Sequence, residues 1–402
     1  LKTNYRINKD TSGGYGTGNN FGNSLVPYIL KILLKKSSFW PPIHVAYTFS
    51  VLEKSGHNVE YKNSIPKNLG KYSLFIVVSS IVCFEEEIKT IKILNNLNHK
   101  VFVIGPFAVN VPSPYIEAGG KVINGEPEFY FLNKKNFEED LNKSLINFNH
   151  NYSLDNLPYP AWEKIIKDLN NVDKLFSKER SLPIIATRGC PYSCFQYCVY
   201  PLQQGRKVRQ RSIKNIIDEI QYWNKNHKIK MFIFRDPVFS INRKHTIEFC
   251  EKIIEKKINI NFAIETHLRI LDSELIDILK KAGLKTAIVG VESSDPDVMK
   301  DASRFTVSKD QQLEKIKELE KKNIQVSAMY IVGFPKDDAN SINKTIEYAK
   351  MLNTTYAQFS VWTPYPGTPI YETYKNKITK KSYQNFDQYS LVYKHDLFNE
   401  EQ

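Results

Sequence analysis

Three cysteines fall within nine residues, in Thr187-Arg-Gly-Cys190-Pro-Tyr-Ser-Cys194-Phe-Gln-Tyr-Cys198. Three thiolates on one loop suit an iron–sulfur cluster, or zinc if a fourth ligand joins them. No fourth Cys or His lies close by in sequence. Three ligands on a four-iron cluster leave one iron open to a substrate or cofactor. Structural zinc normally takes paired C-x-x-C elements and a closed ligand set, and the sequence shows neither. Cys83 and Cys250 stand alone and read as packing residues, because free cysteine is among the most buried residue types. Five cysteines in 402 residues are too few and too clustered for a disulfide scaffold. A reduced, cytoplasmic compartment follows as the expectation.

A loop of this kind must be held by regular elements, and the pattern around it supplies them. From Pro183 onward, strands are expected at Ile184–Thr187, Met231–Phe234, Ile260–Glu265, Thr286–Val291, Gln325–Val332 and Tyr356–Trp362. Helices are expected near Ile213–Trp223, His245–Glu255, Ser273–Ala282, Ser308–Lys322 and Ser341–Leu352. Six βα units fit a partial parallel barrel, whose chemistry sits at the carboxyl ends of its strands. Cys190 directly follows the first of these strands. Glu265, Glu292 and Ser293 fall at strand ends facing the mouth, Asp236 lies between a strand end and Pro237, Gly333 follows the fifth strand, and Arg304 follows a helix after the fourth.

The N-terminal part alternates in the same way, and a Rossmann-like, doubly wound parallel sheet is expected there. The pieces are a helix at Ile43–Glu53, a short strand at His57–Tyr61, a strand at Leu74–Ser79 buried on both faces, a helix at Glu85–Leu97, and strands at Val101–Ile104 and Lys121–Ile123. Ligands of such sheets bind at the carboxyl ends of the strands, which places Ser79, Ser80, Gly105, Pro106, Gly125 and Glu126 on the binding edge. The expected division is an α/β chain with a Rossmann-like domain over 1–135, a connector over 136–180, a (β/α)6 barrel over 181–372 and an incomplete extension over 373–402. The connector carries one helix near Phe137–Ile146 and an extended stretch at Asp155–Glu163. The chain opens on Leu1 and reads as a piece of a longer protein.

Apolar residues make up 42% of the chain and charged residues 25%, as in an ordinary soluble protein. No apolar run is long enough for a membrane span. The net charge of +13 admits nucleic acid or an acidic partner, but Lys is spread along the whole chain and reads as composition. The run Arg206-Lys-Val-Arg-Gln-Arg211 could meet an anionic substrate, a reductase or nucleic acid, or could be a solvated basic loop.

The cysteine loop, with aromatic Tyr197 before its third cysteine, resembles the signature of the radical S-adenosylmethionine (SAM) superfamily. Its last spacer is one residue longer than the usual pattern. Phe234-Arg-Asp-Pro, Gly290-Val-Glu-Ser293, Tyr330-Ile-Val-Gly333-Phe-Pro335 and Tyr365-Pro-Gly-Thr-Pro369 are similar to family segments at the matching strand ends. Pro41-Pro-Ile-His-Val-Ala-Tyr47, Leu52-Glu-Lys-Ser-Gly56-His, Gly105-Pro106, Gly125-Glu-Pro-Glu128 and Leu157-Pro-Tyr-Pro-Ala-Trp162 resemble the cobalamin-dependent branch. The resemblance implies a 4Fe–4S cluster on Cys190, Cys194 and Cys198. It implies S-adenosylmethionine chelated at the open iron and cleaved to a 5′-deoxyadenosyl radical, and cobalamin on the N-terminal edge. Around SAM it points to Tyr197, Asp236, Glu265, Glu292, Ser293, Arg304 and Gly333. Asp-x-His-x-x-Gly, the motif whose histidine ligates cobalt from below, is absent, so neither His44 nor His57 is expected to do so.

The implied activity is methylation of an unactivated carbon or a phosphinate-like centre in a small molecule, with flavodoxin or ferredoxin as electron donor. A non-methylating rearrangement or cyclisation is the alternative within the class. A nucleic-acid-binding module with a structural metal is the alternative outside it. The sequence shows no aromatic–basic recognition motif in its favour, and a nucleic-acid substrate is not expected.

Overall fold

The structure is a computed structural model that describes residues 6–8, 14–19, 41–134, 136–149, 152–166, 180–305 and 307–399. Most of the Gly-rich run Thr11–Asn23 lies outside them.

Helix α1 (Ile43–Lys54) begins after Pro41-Pro42 and buries nine of its residues. Strand β1 (Leu74–Val78), helix α2 (Phe84–Asn96), strands β2 (Lys100–Ile104) and β3 (Lys121–Asn124), helix α3 (Pro127–Asn133) and strand β4 (Leu145–Asn147) follow. The four strands form one parallel sheet in the order β1-β2-β3-β4. Three expectations fail here. His57–Tyr61 is not a strand. With no strand beyond it among the described residues, β1 is an edge strand and only half-buried along its length, not buried on both faces. The expected helix near Phe137–Ile146 is a single 3-10 turn at Glu139–Asn142, followed by β4. Its apolar residues are too sparse for a helical stripe, and Ile146 instead enters the core from a strand. Asp155–Glu163 is extended only in part, because 3-10 turn Leu154–Asn156 and helix Trp162–Ile165 bracket it.

The second sheet has six parallel strands: β5 (Ser181–Ile184), β6 (Met231–Phe234), β7 (Asn261–Thr266), β8 (Leu284–Glu292), β9 (Gln325–Val332) and β10 (Tyr356–Val361). They stand side by side in chain order. Helices α4 (Ile213–His227), α5 (Arg243–Glu255), α6 (Ser273–Ala282), α7 (Lys309–Lys321) and α8 (Ala339–Leu352) make the crossovers. Their starts follow the sequence. Ser212 caps α4, accepting the Asn215 N–H at 3.2 Å, and capping boxes at Ser308/Gln311 and Asp338/Ser341 open α7 and α8. The sheet stays open between β5 and β10, which makes it a partial barrel.

One apolar core runs through both parts: Phe102, Ile104 and Phe129 of the first share a cluster with Ile184, Ile216 and Phe232 of the second. The chain after β10 ties them further. Tyr365 and Phe386 pack with Ile81, Val82 and Phe107, and Cγ of Asn110 lies 2.9 Å from where a side chain on Gly367 would begin. The last described segment crosses the strand ends, where Gln388 O accepts the Val361 N–H at 2.7 Å. Among the described residues no helix is long and apolar enough to cross a membrane.

Candidate functional site

The cysteine loop leaves the carboxyl end of β5 through a small antiparallel hairpin, Thr187–Arg188 against Arg209–Gln210. The limbs cross at Gly189, whose φ is +95° and whose missing Cβ would stand 2.2 Å from the Lys207 carbonyl oxygen, so only glycine fits. Cys190 N–H donates to Gly205 O at 3.2 Å. Cys194 sits in the 3-10 turn Ser193–Gln196, and its carbonyl accepts N–H groups from Tyr197 at 3.1 Å and Cys198 at 3.0 Å. That closing bond explains the longer spacer. Four residues along one helical turn return Cys198 to the face that carries Cys194, as three would.

Cys190 and Cys194 are buried and Cys198 is half-buried. Burial pushes all three thiols up, and Cys190 also feels Cys194 while Cys198 feels both, which places them within electrostatic reach of one another. Among the described residues no three His, Cys, Asp or Glu side chains converge on a point suited to one metal ion. Cys83 and Cys250 lie apart in apolar surroundings, as expected.

Arg304 joins the loop to the strand ends. Its Nη1 donates to Cys194 Sγ at 3.6 Å, and its Nη2 donates to Gly290 O at 3.3 Å and pairs with Glu292 at 3.2 Å. Glu292 has a φ of +66°, an unfavourable conformation for a non-glycine residue, at a bulge that ends β8. Tyr197 turns inward, with its ring edge-on to Phe334 at 5.8 Å and its buried hydroxyl unpaired.

The other expected barrel residues have visible employment. Asp236 is fully buried and accepts N–H groups from Ala186, at 3.1 Å, and Thr187, fixing the strand end from which the loop departs; burial pushes its carboxyl up to about 6. Glu265 pairs with Arg235 at 2.5 Å. Ser293 shares a hydrogen bond with Thr345 at 3.2 Å and accepts the Asp295 N–H at 3.1 Å. Gly333, at φ +80°, has its carbonyl bound by the Tyr393 hydroxyl at 2.9 Å, with Phe398 and Leu391 of the tail close above it.

On the N-terminal edge, Ser79 accepts the Ala108 N–H at 3.0 Å, Ser80 donates to Glu87 at 2.9 Å, and Gly105 and Gly125 take φ values of +107° and +145°. Pro106 opens a short helix. The serine hydroxyls are bound within the protein, and Ser79, Ser80, Gly105, Pro106 and Glu126 are all buried. His44 lies instead on α1 beside Glu126, Glu128 and Arg188, and His57 is half-buried beside Phe137, 5.4 Å between rings.

Glu126 has a role that the sequence did not reveal. It pairs with Arg188 at 2.5 Å and with Arg209 at 2.7 Å, and the buried Glu128 also pairs with Arg188. The edge of the first sheet is thereby clamped to both limbs of the cysteine loop. Arg211 enters the core, paired with Glu219 at 2.6 Å and bound to Ile185 O at 2.8 Å. Arg206 stays outside, donating to Pro191 O at 2.8 Å with its guanidinium 4.3 Å from the Phe195 ring. The basic run is thus not one solvated patch. The available signal was Gly-Glu-Pro-Glu itself, since two buried carboxylates at one sheet edge require cations.

Residues 184–349 match the family model of the Radical SAM superfamily. An uncharacterized methyltransferase of Pyrococcus horikoshii is 25% identical over 83% of this chain and 78% of its own length. An anaerobic magnesium-protoporphyrin IX monomethyl ester cyclase of Rubrivivax gelatinosus is 27% identical over 59% of this chain, which covers only 41% of that relative. The architecture is similar to that of the radical S-adenosylmethionine methyltransferase TsrM from Kitasatospora setae, solved with tryptophan and a SAM analogue. The TM-score is 0.66 at 15% identity, covering 84% of this chain and 74% of that one.

Proposed function

We propose that this chain, which belongs to the radical SAM superfamily, is a cobalamin-dependent radical SAM methyltransferase acting on an unactivated carbon or a phosphinate-like centre of a small molecule. One observation carries the reading. Cys190, Cys194 and Cys198 share one loop at the strand ends of a six-stranded parallel half-barrel, and the ligand edge of a second parallel sheet is clamped to that loop through Glu126.

The three cysteines would hold a 4Fe–4S cluster. Tyr197, Asp236, Glu265, Glu292, Ser293, Arg304 and Gly333 would surround SAM. Ser79, Ser80, Gly105, Pro106, Gly125 and Glu126 would face cobalamin. Bound there, these groups supply one electron for reductive cleavage of the sulfonium and a methyl group for transfer. The residues' own work is positioning and electrostatics. Arg304 brings a fixed positive charge to Cys194 and holds Glu292 in its strained conformation. Asp236 fixes the root of the loop, and burial shields Cys190 and Cys194 from water.

His44 reaches Glu126 from α1 and not from a strand end, and no histidine is expected on cobalt. A low-temperature paramagnetic spectrum of the Co(II) form should lack nitrogen superhyperfine splitting from this chain. The electron donor is a flavodoxin or ferredoxin, and five free cysteines suit the cytoplasm.

Anaerobic reconstitution with iron, sulfide and hydroxocobalamin, followed by addition of SAM, tests the proposal. S-adenosylhomocysteine together with 5′-deoxyadenosine is the expected product pair. 5′-Deoxyadenosine alone would favour rearrangement or ring closure, a second reading supported by the similarity to a cyclase. Absence of both iron–sulfur absorbance and SAM cleavage would overturn both readings.

A further inference from the structure

We propose that the outward face of the cysteine loop is the docking surface for an acidic, one-electron carrier protein of the flavodoxin class; this rests on the cluster reading above. Pro191 and Ser193, between the first two cysteines, are exposed, so the loop itself separates solvent from buried Cys190 and Cys194. Ser193 donates to Ser303 O at 2.7 Å, which brings the segment that carries Phe305 alongside the loop. Tyr192 meets His267 with ring centroids 5.5 Å apart, which brings in Arg269. One continuous face results. Arg206 lies on Phe195 at one end and Arg269 lies on Phe305 at the other, 4.2 Å from its ring centre.

The charges on this face are uncompensated. Arg188, Arg209, Arg211, Arg235, Arg243 and Arg304 each pair with a carboxylate. Arg206, Lys207 and Arg269 are exposed and pair with none among the described residues. A guanidinium held over a ring keeps its in-plane N–H groups free for a partner's carboxylates. Phe305, 54% exposed, adds the apolar component that a docking site needs. The combination fits an acidic partner, and placement over the thiols favours an electron carrier over nucleic acid, whose phosphates need no route to a cluster. In the step itself the carrier's hydroquinone flavin is oxidised by one electron and the cluster is reduced by one. No proton or group moves with it.

The test follows bleaching of the cluster absorbance in the anaerobically reconstituted 402-residue chain, driven either by flavodoxin hydroquinone or by dithionite. Lys207→Glu with Arg269→Glu reverses the charge at two side chains that make no hydrogen bond among the described residues. The ratio of flavodoxin-driven to dithionite-driven rate should fall about tenfold or more at low salt and lose most of its salt dependence. Arg206→Lys with Arg269→Lys should stay within about threefold of the parent, since charge is kept. An unchanged ratio in a Lys207→Glu/Arg269→Glu protein that dithionite still bleaches would overturn the surface and leave the cluster intact. An unbleachable parent would overturn both. An unchanged ratio with weakened, salt-sensitive RNA binding would assign the face to nucleic acid and overturn the proposal.

Discussion

Arg188, Arg209 and Arg211 run inward from the cysteine loop, each to a carboxylate, while Arg206 and Arg269 lie on aromatic rings at its outer face. The inner set joins two sheets and a helix that are distant in sequence. The outer set joins the loop to nothing beyond its own rim. A buried ion pair punishes loss of either partner, because the remaining charge stays buried. An exposed cation on a ring contributes little to stability and keeps its charge available. The same residue type, within six positions of one run, is structural on one side and available for recognition on the other.

The largest effect should follow from breaking the inner side. Arg188→Met strands the buried Glu128 and leaves Glu126 with Arg209 alone, and should cost about 3–5 kcal/mol in urea unfolding, with Arg188→Lys recovering only part because it lacks the two-pronged geometry. A loss below about 1 kcal/mol would show that the clamp does not hold the sheets together. Gly189→Ala, placing a methyl against the Lys207 carbonyl at a φ of +95°, should cost about 2 kcal/mol or more. Equal stability to the parent would mean the limbs do not cross so tightly.

A pH titration sharpens the outer side. Burial, helped by Arg304, holds His267 down to about 4, with Nε2 bound to Phe305 O at 3.0 Å and Nδ1 accepting the Arg269 N–H at 3.1 Å. Its folded value lies below its unfolded value near 6.5, so the unfolded chain takes the proton first. Its contribution is complete above about pH 6.5 and is lost as pH falls towards 4. The parent should therefore lose more stability over that window than His267→Gln, by on the order of 2 kcal/mol. Parallel curves would contradict a buried neutral imidazole. Arg206→Gln should be the mildest change, under about 1 kcal/mol in the same unfolding assay, and a larger loss would move Arg206 to the inner class.

Much of the second sheet was legible because its strands are short apolar runs between capped amphipathic helices. Met231–Phe234, Gln325–Val332 and Ser273–Ala282 have the expected bounds, since local pattern and tertiary burial agree there. His57–Tyr61 alternates like a strand but has no strand neighbour, and pairing is not a local property. The cysteines were legible from spacing. The fates of Arg206, Arg209 and Arg211 were not, because Glu126 lies 83 residues from Arg209 and charge names no partner. The tail gave no pattern, yet Tyr393 and His395 bind the Gly333 and Phe334 carbonyls across the strand ends. That placement depends on where the sheets leave room.

The central claim is that Cys190, Cys194 and Cys198 hold a four-iron cluster with one corner open to SAM. Low-temperature electron paramagnetic resonance of the reduced, reconstituted chain, recorded before and after SAM is added, addresses it directly. The account predicts a spin-half cluster signal whose g-values shift on SAM addition and which is lost in Cys190→Ala, Cys194→Ala and Cys198→Ala but kept in Cys83→Ala and Cys250→Ala. A cluster signal indifferent to SAM, or one that survives loss of any of the three loop cysteines, would contradict it.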